Sequence, residues 1–337
     1  MAETTAVGAR RATLATIAEA AGVSLPTVSK VLNGKDDVAA STRAKVLRLL
    51  EEHDYVPVGT RRPANETLVD LVFTALDSPW AVEIIRGVVE SGLDAVVSSM
   101  ANAPHRERWA ESLVKARRGG ALLVTSQLTA NDRRTLERAR MPLVVIDPVD
   151  LPSPDVPSVG ATNWGGGLSA TEHLLELGHR RIAMIGGPVG FLCSKARIDG
   201  YRSALERAGL AADPELIRHG DFHHEGGYVA ALELLRMPEP PTAIFAGSDE
   251  QALGTIEAAR MCGLAVPGDL SVVGFDDLPV ARWSSPPLTT VRQPLAEMGR
   301  HAGRMLADLI AGKQPDSRRV ELATQLTVRA STAPPRA

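Results

Sequence analysis

TIAEAAGVSLPTVSKVLNG, residues 16–34, carries two helical stripes separated by a turn. Leu14, Ile17, Ala18 and Ala21 recur at helical spacing, and Gly22 follows where a helix must stop and the chain reverse. Ser24 then stands at an N-cap position, its hydroxyl able to accept from a backbone amide of the next helix, whose apolar stripe is Val28, Val31 and Leu32. Asn33-Gly34 is a turn signal that ends it. Two short helices joined by a tight glycine-containing turn predict a helix-turn-helix, in which the second helix enters the major groove of DNA. Its outward residues are Leu25, Pro26, Thr27, Ser29 and Lys30. Hydroxyls bond phosphate or base edges, Lys30 does either, and Leu25 suits a thymine methyl. Pro26 falls in the first turn, where a proline removes no helical hydrogen bond. A third helix is predicted from Ser41, capped by that hydroxyl, with Val46, Leu49 and Leu50 closing a small core over the first two. The plainer alternative is a helical hairpin with a polar outer face.

Beyond Leu68 the chain alternates short β-rich runs with helical patterns. LVDLVF, AVV near Val96, ALLV from Ala121 and LVVI from Leu143 form one series; IAMI from Ile182, AIFAG from Ala243 and SVVGF from Ser271 form a second, expected to begin near Ser158. Such alternation predicts parallel sheets covered by helices, here as two α/β lobes. Asn163 is read as the cap of one helix that Gly178 ends, Gly209 ends the next, and Gly263 closes a helix starting near Asp249. Proline-rich breaks at 151–157 and 285–288 are expected to carry the chain between lobes. A cleft between such lobes, at the carboxyl ends of the strands, is a usual ligand site. The polar residues just after the apolar runs are Asp77, Asp147, Ser248, Asp249 and Asp276. Carboxylates, the arginine of CSKARIDGY (Arg197), and the aromatics Trp80 and Phe222 suit a sugar, whose hydroxyls need paired acceptors and donors while its C–H faces lie on rings.

Residues 12–57 resemble the headpiece of the LacI/GalR family of bacterial regulators: TIAEAAGVSLPTVSKVLNG, Thr42-Arg43 and the ending Tyr55-Val56-Pro57 match almost without gaps. The core resembles the same family, and through it the periplasmic sugar-binding fold, in ATEHLLELGHRRIAMIGG, SKARIDGYRSALERAG, PTAIFAGSDEQALG, PGDLSVVGFDD and PPLTTVRQP. The resemblance implies an all-α helix-turn-helix headpiece followed by a two-lobed α/β periplasmic-binding-protein-like core, two parallel sheets flanked by helices. Its divisions are a disordered tail at 1–11, the headpiece at 12–57, a hinge or linker at 58–67, and a core at 68–331. Within the core, lobe 1 takes about 68–156 plus 291–319 and lobe 2 about 157–290 plus 320–331. The implied DNA contacts are Thr16, Ser24, Leu25, Pro26, Thr27, Ser29, Lys30 and Asn33. The implied effector contacts are Asp77, Trp80, Asp147, Cys193, Arg197, Phe222, Ser248, Asp276 and Gln293.

Two departures stand out. The family's hinge helix carries Ala-x-x-Leu, whose leucine wedges into the minor groove, but residues 58–67 read VGTRRPANET, without leucine and with Pro63 inside. Arg61 and Arg62 are the candidates for a narrow minor groove there, the alternative being a solvated linker. PWAVEIIRGVVESG, residues 79–92, also falls about one turn short of the family's first core helix.

At 337 residues the chain exceeds what one core usually organises. No run approaches the roughly 20 apolar residues of a membrane span, and the N-terminus has no apolar segment followed by a cleavage site, so a cytoplasmic protein without membrane association is expected. Cys193 and Cys262 lack metal-ligand or disulfide spacing and are expected as buried reduced thiols. The net charge of −3 divides mildly: residues 1–63 hold nine Lys/Arg against seven Asp/Glu, so pattern rather than charge carries the DNA argument. IGGPVG does not fit G-x-G-x-x-G, no phosphate-loop GK[ST] occurs, and His223-His224-Glu225 points three ways and reads as a loop, so no catalytic residue, metal or cofactor is expected. The reading is a homodimeric repressor of sugar-utilisation genes that binds palindromic operator DNA and is released by a small sugar. An activator or dual regulator of the same architecture, and a cytoplasmic sugar-binding protein or sugar-processing enzyme, are the alternatives. Composition and general look resemble regulators of plant-polysaccharide use in high-GC bacteria, which implies xylose- or glucose-based saccharides.

Overall fold

The computed structural model describes residues 14–32, 38–52, 68–100, 109–125 and 128–336, in two units, 1–66 and 67–337. The described residues of the first unit form three helices, α1 (Leu14–Ala21), α2 (Leu25–Leu32) and α3 (Ala40–Glu52). Gly22 reverses the chain after α1 with a φ of +67°, a conformation that favours glycine. Ile17, Val28 and Val46, one from each helix, are wholly buried together, with Ala18, Ala21, Val31 and Leu50 around them. The predicted cap of α3 is displaced. The helix starts at Ala40, because alanine extends it backwards, so Ser41 is an exposed residue of its first turn and Ala39 accepts from the Arg43 amide. The tail at 1–11, Asn33, and the segment 58–67 with Arg61 and Arg62 lie outside the described residues.

The second unit holds two sheets. Lobe 1 opens with β1 (Leu68–Phe73), α4 (Pro79–Glu90), β2 (Asp94–Ser99), α5 (Trp109–Ala116), β3 (Ala121–Val124), α6 (Ala130–Arg138), β4 (Leu143–Ile146) and β5 (Ser158–Ala161). Lobe 2 follows with α7 (Asn163–Glu176), β6 (Ile182–Gly186), α8 (Leu192–Arg207), β7 (Ile217–His219), α9 (His224–Leu235), β8 (Ala243–Ala246), α10 (Asp249–Met261), β9 (Ser271–Asp276), α11 (Pro279–Trp283) and β10 (Thr289–Arg292). The chain then returns to lobe 1 for α12 (Leu295–Ile310) and β11 (Arg319–Leu322), and to lobe 2 for β12 (Gln325–Thr327). The sheet orders are β11-β5-β4-β3-β1-β2 and β12-β10-β9-β8-β6-β7. Every described pairing is parallel except β10 with β12, so the second sheet has one antiparallel edge. Strands β3, β6, β8 and β9 are buried throughout, as parallel strands covered by helices on both faces must be.

The lobe borders differ from the sequence reading. SVGA at 158–161 extends lobe 1, with Val145 opposite Ser158 and Ile146 opposite Val159, so the proline-rich stretch 151–157 is a return within that lobe. Likewise β10 pairs with β9 in lobe 2, and β11 with β5 in lobe 1. The crossings therefore fall at 162–163, 293–294 and 323–324, not at the proline-rich breaks. The packed chain also continues past 331: the Ala333 amide donates to Ser271 Oγ at 3.0 Å, and Arg336 pairs with Asp269.

The short α4 still packs tightly on α12, since a Cβ on Gly87 would lie 2.0 Å from the Ala296 carbonyl oxygen. Cys193 is buried, but Cys262 is exposed at the end of α10, against expectation: that helix end faces solvent beside the exposed Met261. No helix among the described residues is long and apolar enough to cross a membrane.

Candidate functional site

In the headpiece, α2 presents Leu25, which is 48% exposed, with Pro26 and Lys30 also exposed and Thr27 and Ser29 half-buried. Ser24 is the N-cap: its Oγ accepts from the Thr27 amide at 3.4 Å and lies 2.8 Å from Thr27 Oγ1. Thr16 is exposed on α1. A helix N-terminus with these hydroxyls and a cation one turn on can bond phosphate and base edges.

In the second unit, the carboxyl ends of β1, β4, β6, β8 and β9 surround a cavity of about 210 Å³ between the lobes. Eight of the nine predicted effector residues line it: Asp77, Trp80, Asp147, Cys193, Arg197, Phe222, Ser248 and Asp276. Gln293 is not among the lining residues. It stands behind Asp276, donating from Nε2 to Asp276 Oδ1 at 2.7 Å. Asp249, a candidate by its place after AIFAG, is turned away into the core, where it accepts from the Leu278 amide and Thr290 Oγ1.

Arg197 is 3% exposed and held from several sides. Its Nε donates to Asn163 Oδ1 at 2.9 Å, Nη1 donates to the Gly247 carbonyl, and the guanidinium lies 3.8 Å from the centre of the Phe275 ring and 5.3 Å from that of Phe222. Asn163 is thus not the cap of α7 but its first residue, with Thr162 in the cap position and Nδ2 donating to the Ala161 carbonyl. Sequence reasoning saw a helix boundary where the residue's work is to aim an arginine. The backbone of α8 is pressed onto α7: a Cβ on Gly167 would stand 2.3 Å from the Arg197 carbonyl oxygen, and one on Gly200 2.2 Å from that of Trp164.

Because Arg197 bonds Asn163 and Gly247, the carboxylates Asp147 and Asp276 are available to a ligand. Burial raises the pKa of both, partly offset by the nearby Arg197 charge; for Asp276 the result is about 7. Burial first, then the Asp147 charge, pushes the Cys193 thiol up to about 12, so it remains protonated and serves as a small lining group. Ser248 is the N-cap of α10, accepting from the Gln251 amide at 3.0 Å and donating to the Phe222 carbonyl at 2.6 Å. It therefore helps fix Phe222, whose ring covers the spot that a Cβ on Gly187 would fill.

Asp147, Phe222 and Asp276 have φ of +47°, +72° and +120°, as does Thr125 of the lining at +46°. Non-glycine residues in this region cost on the order of 1–3 kcal/mol each, and such strain gathers at ligand sites. Residues that sequence reasoning missed are Asn163 and, at the mouth of the cavity, Ser78, His223 and Glu250. The loop expected at His223-His224-Glu225 is instead the start of α9, with His223 flanking the helix and His224 its first residue. Among the described residues no group of His, Cys, Asp and Glu could hold a metal ion.

Residues 13–58 match the model of bacterial regulatory proteins of the lacI family, and residues 171–332 that of the periplasmic binding protein-like domain. The HTH-type transcriptional regulator CelR of Thermobifida fusca is 36% identical over 335 residues, 96% of this chain and 98% of its own. The chain belongs to the LacI family. Among other members, the HTH-type transcriptional repressor CytR of Escherichia coli is 35% identical over 329 residues, 95% of this chain and 96% of its own. A solved complex of CelR with cellobiose superposes with a TM-score of 0.73 at 37% identity, covering 95% of this chain and all of that one. The lac repressor dimer bound to operator and the anti-inducer ONPF gives 0.74 at 28% identity, covering 96% and 100%. This LacI-family chain is a DNA-binding regulator of transcription, not an enzyme, and its helix-turn-helix headpiece and two-sheet core are the family's architecture.

Proposed function

We propose that this chain is a cytoplasmic repressor that binds palindromic operator DNA as a homodimer and lets go when a small neutral sugar occupies the cleft between its lobes. The observation that carries the reading is the cavity floor: Arg197 held by Asn163 and Gly247, two buried carboxylates beside it, and the Phe222 ring over the same guanidinium. Sugar hydroxyls take bidentate bonds from such groups while the ring's C–H face packs on the aromatic. The CelR complex with cellobiose supports a saccharide, and the lac repressor dimer on operator supports the dimer. One recognition helix reads few base pairs, so a two-fold dimer on an inverted repeat supplies the rest. Thr16 and the α2 residues Leu25, Pro26, Thr27, Ser29 and Lys30, with Ser24 before them, are assigned to DNA, as are Asn33, Arg61 and Arg62. The eight lining residues are assigned to the sugar, with Gln293 holding Asp276.

The sugar acts by binding the two cleft arrangements unequally, which lowers operator affinity by about 1–3 kcal/mol, or roughly 5–150-fold. The test is fluorescence anisotropy of the full chain on the inverted-repeat DNA upstream of its own gene, titrated with glucose, xylose, cellobiose, xylobiose and maltose. Release by one of them is expected; binding that none of them alters sinks the sugar reading. Lys30→Ala is expected to weaken operator binding roughly tenfold, and undiminished affinity would contradict the role given to α2.

A further inference from the structure

The mouth of the cavity is bridged by side chains that meet across the two lobes. Ser78, which precedes α4 in lobe 1, donates its hydroxyl to Oε1 of Glu250 in the first turn of α10 in lobe 2. The other oxygen of that carboxylate lies 3.3 Å from His223 Nδ1, and His223 Nε2 lies 3.8 Å from Asp77 Oδ2, back in lobe 1. All four residues line the cavity, and the Asp77 side chain is 63% exposed, in contrast to the buried floor.

With this clasp closed the cavity measures about 210 Å³, below the roughly 300–1,000 Å³ of most ligand pockets. A hydroxyl donating to a carboxylate is also the bond a sugar hydroxyl makes. A ligand hydroxyl can therefore replace Ser78 on Glu250 bond for bond, with no buried group left unpaired.

We propose that Glu250, His223 and Asp77 form a second sugar subsite at the mouth of the cleft, which a two-ring saccharide enters by displacing Ser78 from Glu250. This rests on the reading of the floor as a sugar site and adds a length filter to it: Glu250 selects two rings over one. The two carboxylates, with Asp221 beside them in the lining, also repel an anionic second ring, so the distal unit is neutral and hydroxylated.

The test is calorimetric titration of the full-length protein with glucose, xylose, cellobiose, xylobiose and maltose, in wild type, Glu250→Ala, Glu250→Gln and Ser78→Ala. The wild type is expected to bind at least one two-ring sugar more tightly than the corresponding single ring. Glu250→Ala should weaken that sugar roughly tenfold more than it weakens the single ring. Should that variant fail to fold, the isosteric Glu250→Gln gives a smaller loss in the same direction. Ser78→Ala removes the competing hydroxyl together with the cap it gives the Trp80 amide at 3.2 Å, so the ratio of two-ring to single-ring affinity is compared, and that ratio should be at least the wild-type value. Single rings bound as tightly as double ones, or equal losses for both on Glu250 substitution, would overturn the subsite and leave the floor intact. Binding of none of the five sugars would take down the sugar reading, and the subsite with it.

Discussion

The floor and the mouth of the cleft are built on opposite terms. At the floor, Arg197, Asp147 and Asp276 are nearly inaccessible, Arg197 and Asp276 are bonded to backbone or to a dedicated neighbour, and two of the three sit in strained backbone. At the mouth, Asp77, Ser78, His223 and Glu250 are more open and bond one another across the lobes. The floor is thus organised before any ligand arrives, which reduces the ordering cost of binding. Contacts at the mouth exist only while the lobes are together. Rigid recognition and lobe position are separated within one cavity.

The sharpest way to break this contrast is at Arg197. Arg197→Ala leaves two buried carboxylates without their neighbouring cation, and a loss of sugar response of more than about a hundredfold is expected. Anisotropy on operator with and without sugar checks it; loss of operator binding at the same time would indicate misfolding instead. A less direct blow falls on the scaffold. Gly167→Ala places a methyl where the Arg197 carbonyl oxygen sits, forcing α8 away from α7 at a cost of about 1–3 kcal/mol, with weaker sugar binding as the arginine shifts. Gly160→Ala, with open space around the added Cβ, is the control for the melting temperature.

The smallest effect is a pH dependence. Because burial raises Asp276 to about 7, its ionised fraction climbs between pH 6 and 8. A sugar that needs the carboxylate as acceptor should bind roughly tenfold more tightly at pH 8 than at pH 6 and then level off. The sign for stability is opposite: a carboxyl whose folded-state pKa is raised favours the fold most when protonated, and that contribution is lost as pH rises from about 4 through 7. Titrations of Asp276→Asn at both pH values should show the dependence flattened.

The headpiece was readable from its 3.6-residue apolar spacing, and the long strands from their apolar runs, because burial on both faces leaves no room for polar alternation. Short strands were not. SVGA and TTVR have too few bulky residues to announce themselves, and only pairing with β4 and β9 shows which lobe owns them. The floor was reached through the turns after the apolar runs and through family motifs, yet the positive φ of Asp147, Phe222 and Asp276 is carried without glycine, by two aspartates that adopt it only occasionally and a phenylalanine that rarely does, and so leaves little local signal. Ser78 and Glu250 stand 172 positions apart and meet only when two lobes face each other. No local pattern encodes that.

If sugar release works through one equilibrium shared by cleft and headpiece, the coupling must be reciprocal. The affinity of the releasing sugar should be measured by titration with the protein alone and again with saturating operator. Operator is expected to weaken the sugar by the same factor by which the sugar weakens operator, roughly 5–150-fold. Equal sugar affinity in the two titrations would contradict it.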